Sequence, residues 1–243
     1  MNNNINQKVI PNHIVLLPDG NRRWAKQRGL PSIRGHLAGY ENIVKFTHYC
    51  KNRGVKILTA FGFSAENWNR PKEEIKYLMG LLENGFKNEL KKYNHKENDY
   101  NLLGKEVKLR IIGQKERLPS SLQKVIKKLE DLTKNNKDFV LNLAVSYSGK
   151  WDILNAVRKI VSEKIPPQEI TENTFENYLS TSNLPEPDLV IRAGGEQRIS
   201  NFLLWQTAYS ELYFSPKYWP DFNEKDFDEA LKEYALRQRR FGK

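Results

Sequence analysis

Cysteine is almost absent from this chain. Cys50 is the only one in 243 residues, so no intramolecular disulfide can form, which fits a reducing compartment. Long apolar runs are missing too: no stretch approaches the roughly 20 residues a membrane-crossing helix needs. The opening Met1-Asn2-Asn3-Asn4 lacks the charged-then-apolar layout of a signal peptide, so the chain is expected to stay in the cytoplasm where it is made. No Gly-x-x-x-x-Gly-Lys-Ser/Thr loop occurs, which disfavours P-loop nucleotide hydrolysis, and no Cys and His cluster has zinc spacing. There is no internal repeat.

What is there reads as an ordinary globular chain, 39% hydrophobic and 28% charged. The expected organisation is a single domain over 12–243 behind a loosely held segment, 1–11. A net charge of +11 calls for an anionic partner: nucleic acid, phospholipid headgroups or a phosphorylated substrate. Composition does not choose among them. The basic tail Arg237-Gln238-Arg239-Arg240 would suit nucleic acid, but no helix-turn-helix, zinc-finger or aromatic RNA-binding signature accompanies it, so no nucleic-acid partner is expected.

Short segments rich in β-formers alternate with longer amphipathic ones. The strands expected are His13 to Leu17, Val55 to Phe61, Val107 to Ile112, Phe139 to Val145 and Asp188 to Ile191, with Glu211 to Phe214 as a sixth. Helical spacing runs from Gly39 to Asn52 and from Glu73 to Leu90. Such alternation predicts an α/β fold, a mostly parallel sheet covered by helices on both faces. Lys91 to Lys105 is polar and reads as a surface loop or a frayed helix extension.

In an open parallel sheet, ligands bind beyond the carboxyl ends of the strands. After the first strand come Asp19-Gly20-Asn21-Arg22-Arg23-Trp24, after the second Ser64-Ala65-Glu66-Asn67-Trp68-Asn69-Arg70, and after the fifth Arg192 through Arg198-Ile199-Ser200-Asn201. Each alone is explained by a turn. Together they bring guanidinium, hydroxyl and amide donors to one edge, a set suited to diphosphates. Acidic groups among them repel phosphate unless a cation intervenes, which makes Asp19 and Glu211 candidate ligands for magnesium.

These residues resemble a known family. His13-Ile14-Val15-Leu16-Leu17-Pro18-Asp19-Gly20-Asn21, Arg23-Trp24-Ala25, Gly35-His36, Phe63 to Pro71 and Asp188 to Phe222 are similar to the signature blocks of bacterial undecaprenyl diphosphate synthases, in order, from about Asn12 to Gly242. The resemblance implies a homodimer with a hydrophobic tunnel beside the sheet. It implies a magnesium-dependent cis-prenyltransferase that condenses isopentenyl diphosphate with an allylic diphosphate, farnesyl diphosphate above all, and the basic excess would then help it make transient contact with an anionic membrane surface, where its apolar product must go.

Carried over by position, Asp19 and Glu211 hold the metal and Asp19 is catalytic. Gly20, Asn21, Arg22, Arg23 and Trp24, with Ser32 and His36, form the allylic site. Ser64, Ala65, Glu66, Trp68 and Arg70 belong to a mobile segment whose Asn67 is the family's often-proposed proton acceptor, and Arg192, Arg198, Ile199 and Ser200 form the isopentenyl diphosphate pocket. An amide oxygen is a poor base, and the diphosphate or a water is the alternative acceptor. His36 has a second reading, as a hydrogen-bonded residue at a helix start, Trp24 and Trp68 have one as core aromatics, and Trp205 and Trp219 are expected in the core or at the dimer interface.

Departures from the family pattern are Ser32, where a diphosphate-binding Arg is common, with Arg34 a potential substitute, and Pro18, Ala193 and Ser146-Tyr147-Ser148-Gly149-Lys150. The segment 91–105 is longer than its usual counterpart, and its polarity favours a surface loop over a part in product length. A catalytically silent, prenyl-binding subunit is the main alternative, and the joint presence of Asp19, Arg23 and Arg192 argues against it.

Overall fold

The computed structural model describes residues 10–95 and 102–237. The expected loose segment thus falls mostly outside the described residues, as do Gln238, Arg239 and Arg240 of the basic tail. The six strands are β1 (His13–Leu17), β2 (Ile57–Ser64), β3 (Val107–Ile112), β4 (Phe139–Tyr147), β5 (Leu189–Arg192) and β6 (Glu211–Phe214). They form one sheet in the order β3-β4-β2-β1-β5-β6, and every neighbouring pair is parallel.

The central strand shows why. All five residues of β1 are buried, as a strand covered on both faces must be, and its side chains alternate between two cores. Ile14 and Leu16 join the larger core, while Val15 and Leu17 join a smaller one with Tyr147, Phe202 and Leu203. From β1 the chain passes to β2 on one side and later returns to β5 on the other. That reversal opens a crevice beyond the carboxyl end of β1.

The helices are α1 (Asn21–Gln27), α2 (Ser32–Asn52), α3 (Lys72–His95), α4 (Ser120–Thr133), α5 (Gly149–Ser162), α6 (Glu172–Glu176) and α7 (Glu224–Leu236). α2 begins at Ser32, earlier than its apolar spacing suggests, because two glycines let it meet α1 closely. A Cβ on Gly35 would lie 2.0 Å from the Asn21 carbonyl oxygen, and one on Gly39 would lie 2.5 Å from Asn21 Oδ1. The aromatic heart of the larger core is Phe46 of α2, edge-on to Trp219, Phe222 and Phe227. Trp219 is wholly buried, so of its two expected places, core or interface, it takes the core.

The segment expected to be a surface loop or a helix extension is an extension at its start and departs from a surface loop at its end. Its first residues, 91–95, continue α3, residues 96–101 lie outside the described residues, and Leu102 and Leu103 are each only 1% exposed. Two leucines in polar surroundings are pulled into the core because burying each contributes about 1.5–3 kcal/mol.

No helix among the described residues is long and apolar enough to cross a membrane. Asn42 ties α2 to the turn after β6 by donating to the carbonyls of Trp219 at 2.7 Å and Phe222 at 2.8 Å. Asn42→Ala leaves both buried acceptors bare and is expected to cost roughly 1–3 kcal/mol. In a urea titration this appears as a lower midpoint with an unchanged slope.

Candidate active site at the carboxyl edge of the sheet

Leu17 and Arg192 are register partners at the ends of β1 and β5, so the residues that follow them emerge side by side. Asp19 Oδ2 accepts from Arg192 Nη2 at 2.8 Å and lies 3.2 Å from Arg23 Nη2, and its Oδ1 accepts from the Gly20 N–H at 2.5 Å. The close approach needs glycine opposite: Gly194 has φ +96°, and a Cβ there would lie 3.0 Å from both the Asp19 carbonyl and Arg23 Nη2. Burial alone would raise the Asp19 pKa, but hydrogen bonding and charge from Arg192, the Arg23 charge and the Gly20 N–H outweigh it and hold the carboxyl below its ordinary value.

Arg192 is 4% exposed. Its Nη1 donates to Ser200 Oγ at 2.7 Å and to the Arg198 carbonyl, and its buried Nε has no partner among the described residues. Glu196 links Arg23 at 3.0 Å with Arg198 at 2.5 Å.

The opposite wall is the turn after β2. Ser64 and Asn67 form a reciprocal cap, with the Asn67 oxygen accepting from the Ser64 N–H at 3.2 Å. That bond occupies the amide oxygen and leaves the NH2 as the free end of Asn67. Arg70 lies 3.1 Å from Glu74 one helical turn on, and Glu74 also meets His36 at 3.2 Å and Arg22 at 3.9 Å. Burial lowers the His36 pKa, with Glu74 opposing and Arg70 and Arg22 reinforcing, so the ring is neutral at pH 7.

An open cleft of about 1160 Å³ collects these groups: Asp19, Gly20, Asn21, Arg22, Arg23, Ser32, His36, Ser64, Glu66, Asn67, Arg70, Arg192 and Ser200 all line it. Others in the sequence-predicted set do not. The Trp24 indole N–H donates to Asp221 at 2.8 Å, and Arg28 stacks on its ring. Trp68 donates to Ser146 Oγ at 2.8 Å, packs edge-on to Phe63 and carries Arg117 over its face. Ala65, Arg198 and Ile199 fall outside the lining, and so does Arg34, which is exposed.

Glu211 is the clearest displacement. It opens β6, opposite Leu189, which pairs with Ile14, so it stands at the amino edge of the sheet, bonded to Arg237 at 3.1 Å. From the level of Ile14 to Asp19 is roughly 16 Å at about 3.3 Å per residue, too far for one ion to bind both carboxylates of a single chain. Among the described residues no group of three or more His, Cys, Asp or Glu could hold a metal. The chemistry that fits is one carboxylate, Asp19, plus phosphate oxygens, a donor set magnesium accepts.

Two residues given no role from sequence hold the walls of the cleft together. Glu74 gathers Arg22, His36 and Arg70, and its spacing of four from Arg70 on a helix was the available signal. Asn201 donates to Glu66 at 2.8 Å and to Ser148 at 2.8 Å, stitching the two walls together.

At Pro18, Asn21, His36, Phe61, Gly62, Phe63 and Leu78 the cleft meets a second, apolar cavity of about 120 Å³ between α2, α3 and the sheet. A charged cleft joined to an apolar cavity suits a diphosphate with a hydrocarbon tail.

The family described as "Putative undecaprenyl diphosphate synthase" matches residues 17–242. The chain belongs to this prenyltransferase family. Among family relatives, the isoprenyl transferase of Aquifex aeolicus is 45% identical over 234 residues, 96% of either chain. The farnesyl-diphosphate-specific ditrans,polycis-undecaprenyl-diphosphate synthase of Coxiella burnetii is 46% identical over 239 residues, 96% of this chain and 97% of that one. Of solved structures, lavandulyl diphosphate synthase from Lavandula x intermedia, in complex with dimethylallyl diphosphate, aligns with a TM-score of 0.90 at 40% identity over 97% of this chain and 100% of that one. A probable undecaprenyl diphosphate synthase from Campylobacter jejuni aligns at 0.77 and 31%, over 96% and 99%.

The Asp19 ion pairs set a pH dependence. A carboxyl whose folded pKa lies below its free value of 3.8 contributes stability that is complete above 3.8 and lost as pH falls through the folded value. Urea midpoints followed down through that range are expected to fall less steeply for Asp19→Asn than for the wild type.

Proposed function

We propose that this chain is a magnesium-dependent cis-prenyltransferase that extends an allylic diphosphate, farnesyl diphosphate as for its Coxiella burnetii relative, with isopentenyl diphosphate units toward a long-chain polyprenyl diphosphate such as undecaprenyl diphosphate. The observation that carries the reading is the direct junction between the guanidinium-lined cleft and the apolar cavity. One binds pyrophosphate heads, the other a prenyl tail.

In this reading Arg22 and Arg23, with the N-terminal turn of α1, hold the allylic diphosphate. Arg192 and Ser200, joined at 2.7 Å and both lining the cleft, hold isopentenyl diphosphate. Asp19 and the diphosphate oxygens would hold magnesium, which when bound neutralises charge on the departing diphosphate. The allylic carbon–oxygen bond breaks with its electron pair leaving on the diphosphate. The terminal alkene carbon of isopentenyl diphosphate bonds to the allylic carbon, and a C2 proton departs to form the new cis double bond.

Guanidinium groups fixed before reaction stabilise the charge that develops on the leaving group. Asn67 serves as an N–H donor to substrate, since its oxygen is engaged by Ser64, and the released diphosphate takes the proton. Glu211 could reach a cation at Asp19 only from a second copy, which accords with a homodimer. The net charge of +11 suits a cytoplasmic enzyme that hands a lipid product to an anionic membrane face.

Purified protein given farnesyl and isopentenyl diphosphates is expected to release pyrophosphate only while magnesium is present. Asp19→Ala is expected to lower turnover by about a hundredfold or more with an unchanged circular dichroism spectrum. Turnover that survives chelation and this substitution alike would refute the assignment.

A further inference from the structure

Trp68 belongs to the turn that walls the cleft, yet its ring lies outside it. Its neighbours Asn67 and Arg70 line the cleft, whereas Trp68, Arg117 and Ser146 do not. What holds the ring is an irregularity in the sheet. Phe63 of β2 stands opposite Val145 of β4 and Ser64 opposite Tyr147, so Ser146 is an extra residue with no partner across the pair. The bulge changes which core the strand faces. Phe139, Leu141, Leu143 and Val145 alternate into the larger core, and Tyr147, which regular alternation would send there too, joins the smaller one.

Ser146 is wholly buried and has φ +56°, a left-handed backbone that residues other than Gly, Asn and Asp rarely adopt. Its Oγ accepts from the Trp68 indole N–H at 2.8 Å. From there the contacts close a ring. The Arg117 guanidinium lies 5.0 Å from the centroid of the Trp68 ring, Arg117 Nη1 donates to Gln114 Oε1 at 3.3 Å, and the Gln114 N–H donates to the Ser146 carbonyl at 3.1 Å. Phe63 meets the indole edge-on at 5.1 Å. Glu66, toward the other end of the turn, is tied through Asn201 to Ser148, two residues beyond Ser146. Asn67 is carried between these two anchors.

Backbone strain kept at a buried residue beside a cleft persists when the surrounding structure uses what that residue holds. Resting on the prenyltransferase reading above, we propose that Ser146 is a positioning residue: its hydroxyl, through the Trp68 indole, fixes where Asn67 and Arg70 stand in the cleft. Without that acceptor the indole N–H is left unpaired and the turn loses one of its two anchors. A diphosphate must then order the wall as it binds, which appears as weaker binding rather than slower chemistry.

The test is steady-state kinetics of the full chain with farnesyl and isopentenyl diphosphates and magnesium, each variant assayed where a urea titration shows it fully folded. Ser146→Gly keeps the same φ without strain and removes the hydroxyl. It and Trp68→Phe are each expected to raise the KM of at least one diphosphate substrate about tenfold, with kcat within about twofold of wild type. Ser146→Asn tolerates the left-handed backbone and offers an amide oxygen to the same N–H, so its KM values are expected within about twofold of wild type. The double variant Ser146→Gly, Trp68→Phe is expected to be no worse than either single one, since both cut one bond. A merely structural serine would lower the urea midpoint and leave KM unmoved. Wild-type KM values in folded Ser146→Gly and Trp68→Phe, or losses that multiply in the double variant, would overturn the positioning role and leave the enzymatic reading standing. Should Ser146→Gly fail to fold, Trp68→Phe decides by the same KM values. A wild type that forms no prenyl product would overturn both.

Discussion

One carboxylate held between two guanidinium groups organises the cleft. Asp19 can sit between Arg192 and Arg23 because β1 and β5 are parallel neighbours that end in register, so that Leu17 and Arg192 are level. Bringing buried Arg192 to that point would be costly without a counter-charge, and Asp19 supplies it. Packing follows the same requirement: Gly194 has no Cβ to obstruct the approach, and Gly35 and Gly39 let α2 support the start of α1, from which Arg23 reaches back.

The two environments of the site come from the two faces of the structure around one strand end. Beyond the strand tips the backbone turns, polar groups are unpaired by the sheet, and donors accumulate. Between α2, α3 and the sheet there are only side chains, so the space is apolar. His36 stands at the boundary. Its ring stays neutral there because burial opposes the proton more than Glu74 favours it, so the mouth of the cavity is polar without adding a charge.

The strands were legible because buried parallel strands are nearly continuous runs of β-formers, and β1 and β3 start and end where that pattern does. β2 runs on to Ser64 past the expected Phe61, since its pairing with β4 becomes irregular between Phe61 and Ser64 and no sequence pattern marks where such a strand stops. Asp19, Arg23 and Arg192 were legible by the rule that strand ends collect ligands. Trp24 and Trp68 were not separable from them, because an indole N–H turns toward whichever acceptor the fold provides, here Asp221 and Ser146. Glu211 looked like a second ligand from its place in a motif, but motif order does not say at which edge of the sheet a strand begins. Glu74 was signalled only by its spacing of four from Arg70 and Asn201 only by its place after β5, because their other partners, Arg22 and His36 for the one, Glu66 and Ser148 for the other, are distant in the chain.

The cleft keeps its cations in check with its own acids. Arg192 and Arg23 share Asp19, Arg23 and Arg198 share Glu196, and Arg22 and Arg70 share Glu74. Each carboxylate occupies a place that a phosphate oxygen could take. A diphosphate entering this cleft would do so by exchange, displacing internal acids from guanidinium groups already fixed in position, so that its binding energy would be the difference between two ion pairings. Asp19 is fixed more tightly than a surface carboxylate, held at once by Arg192, Arg23 and the Gly20 N–H. A divalent cation between them would let that fixed carboxylate and an incoming diphosphate share the space, which is the place the geometry of Asp19 offers a metal.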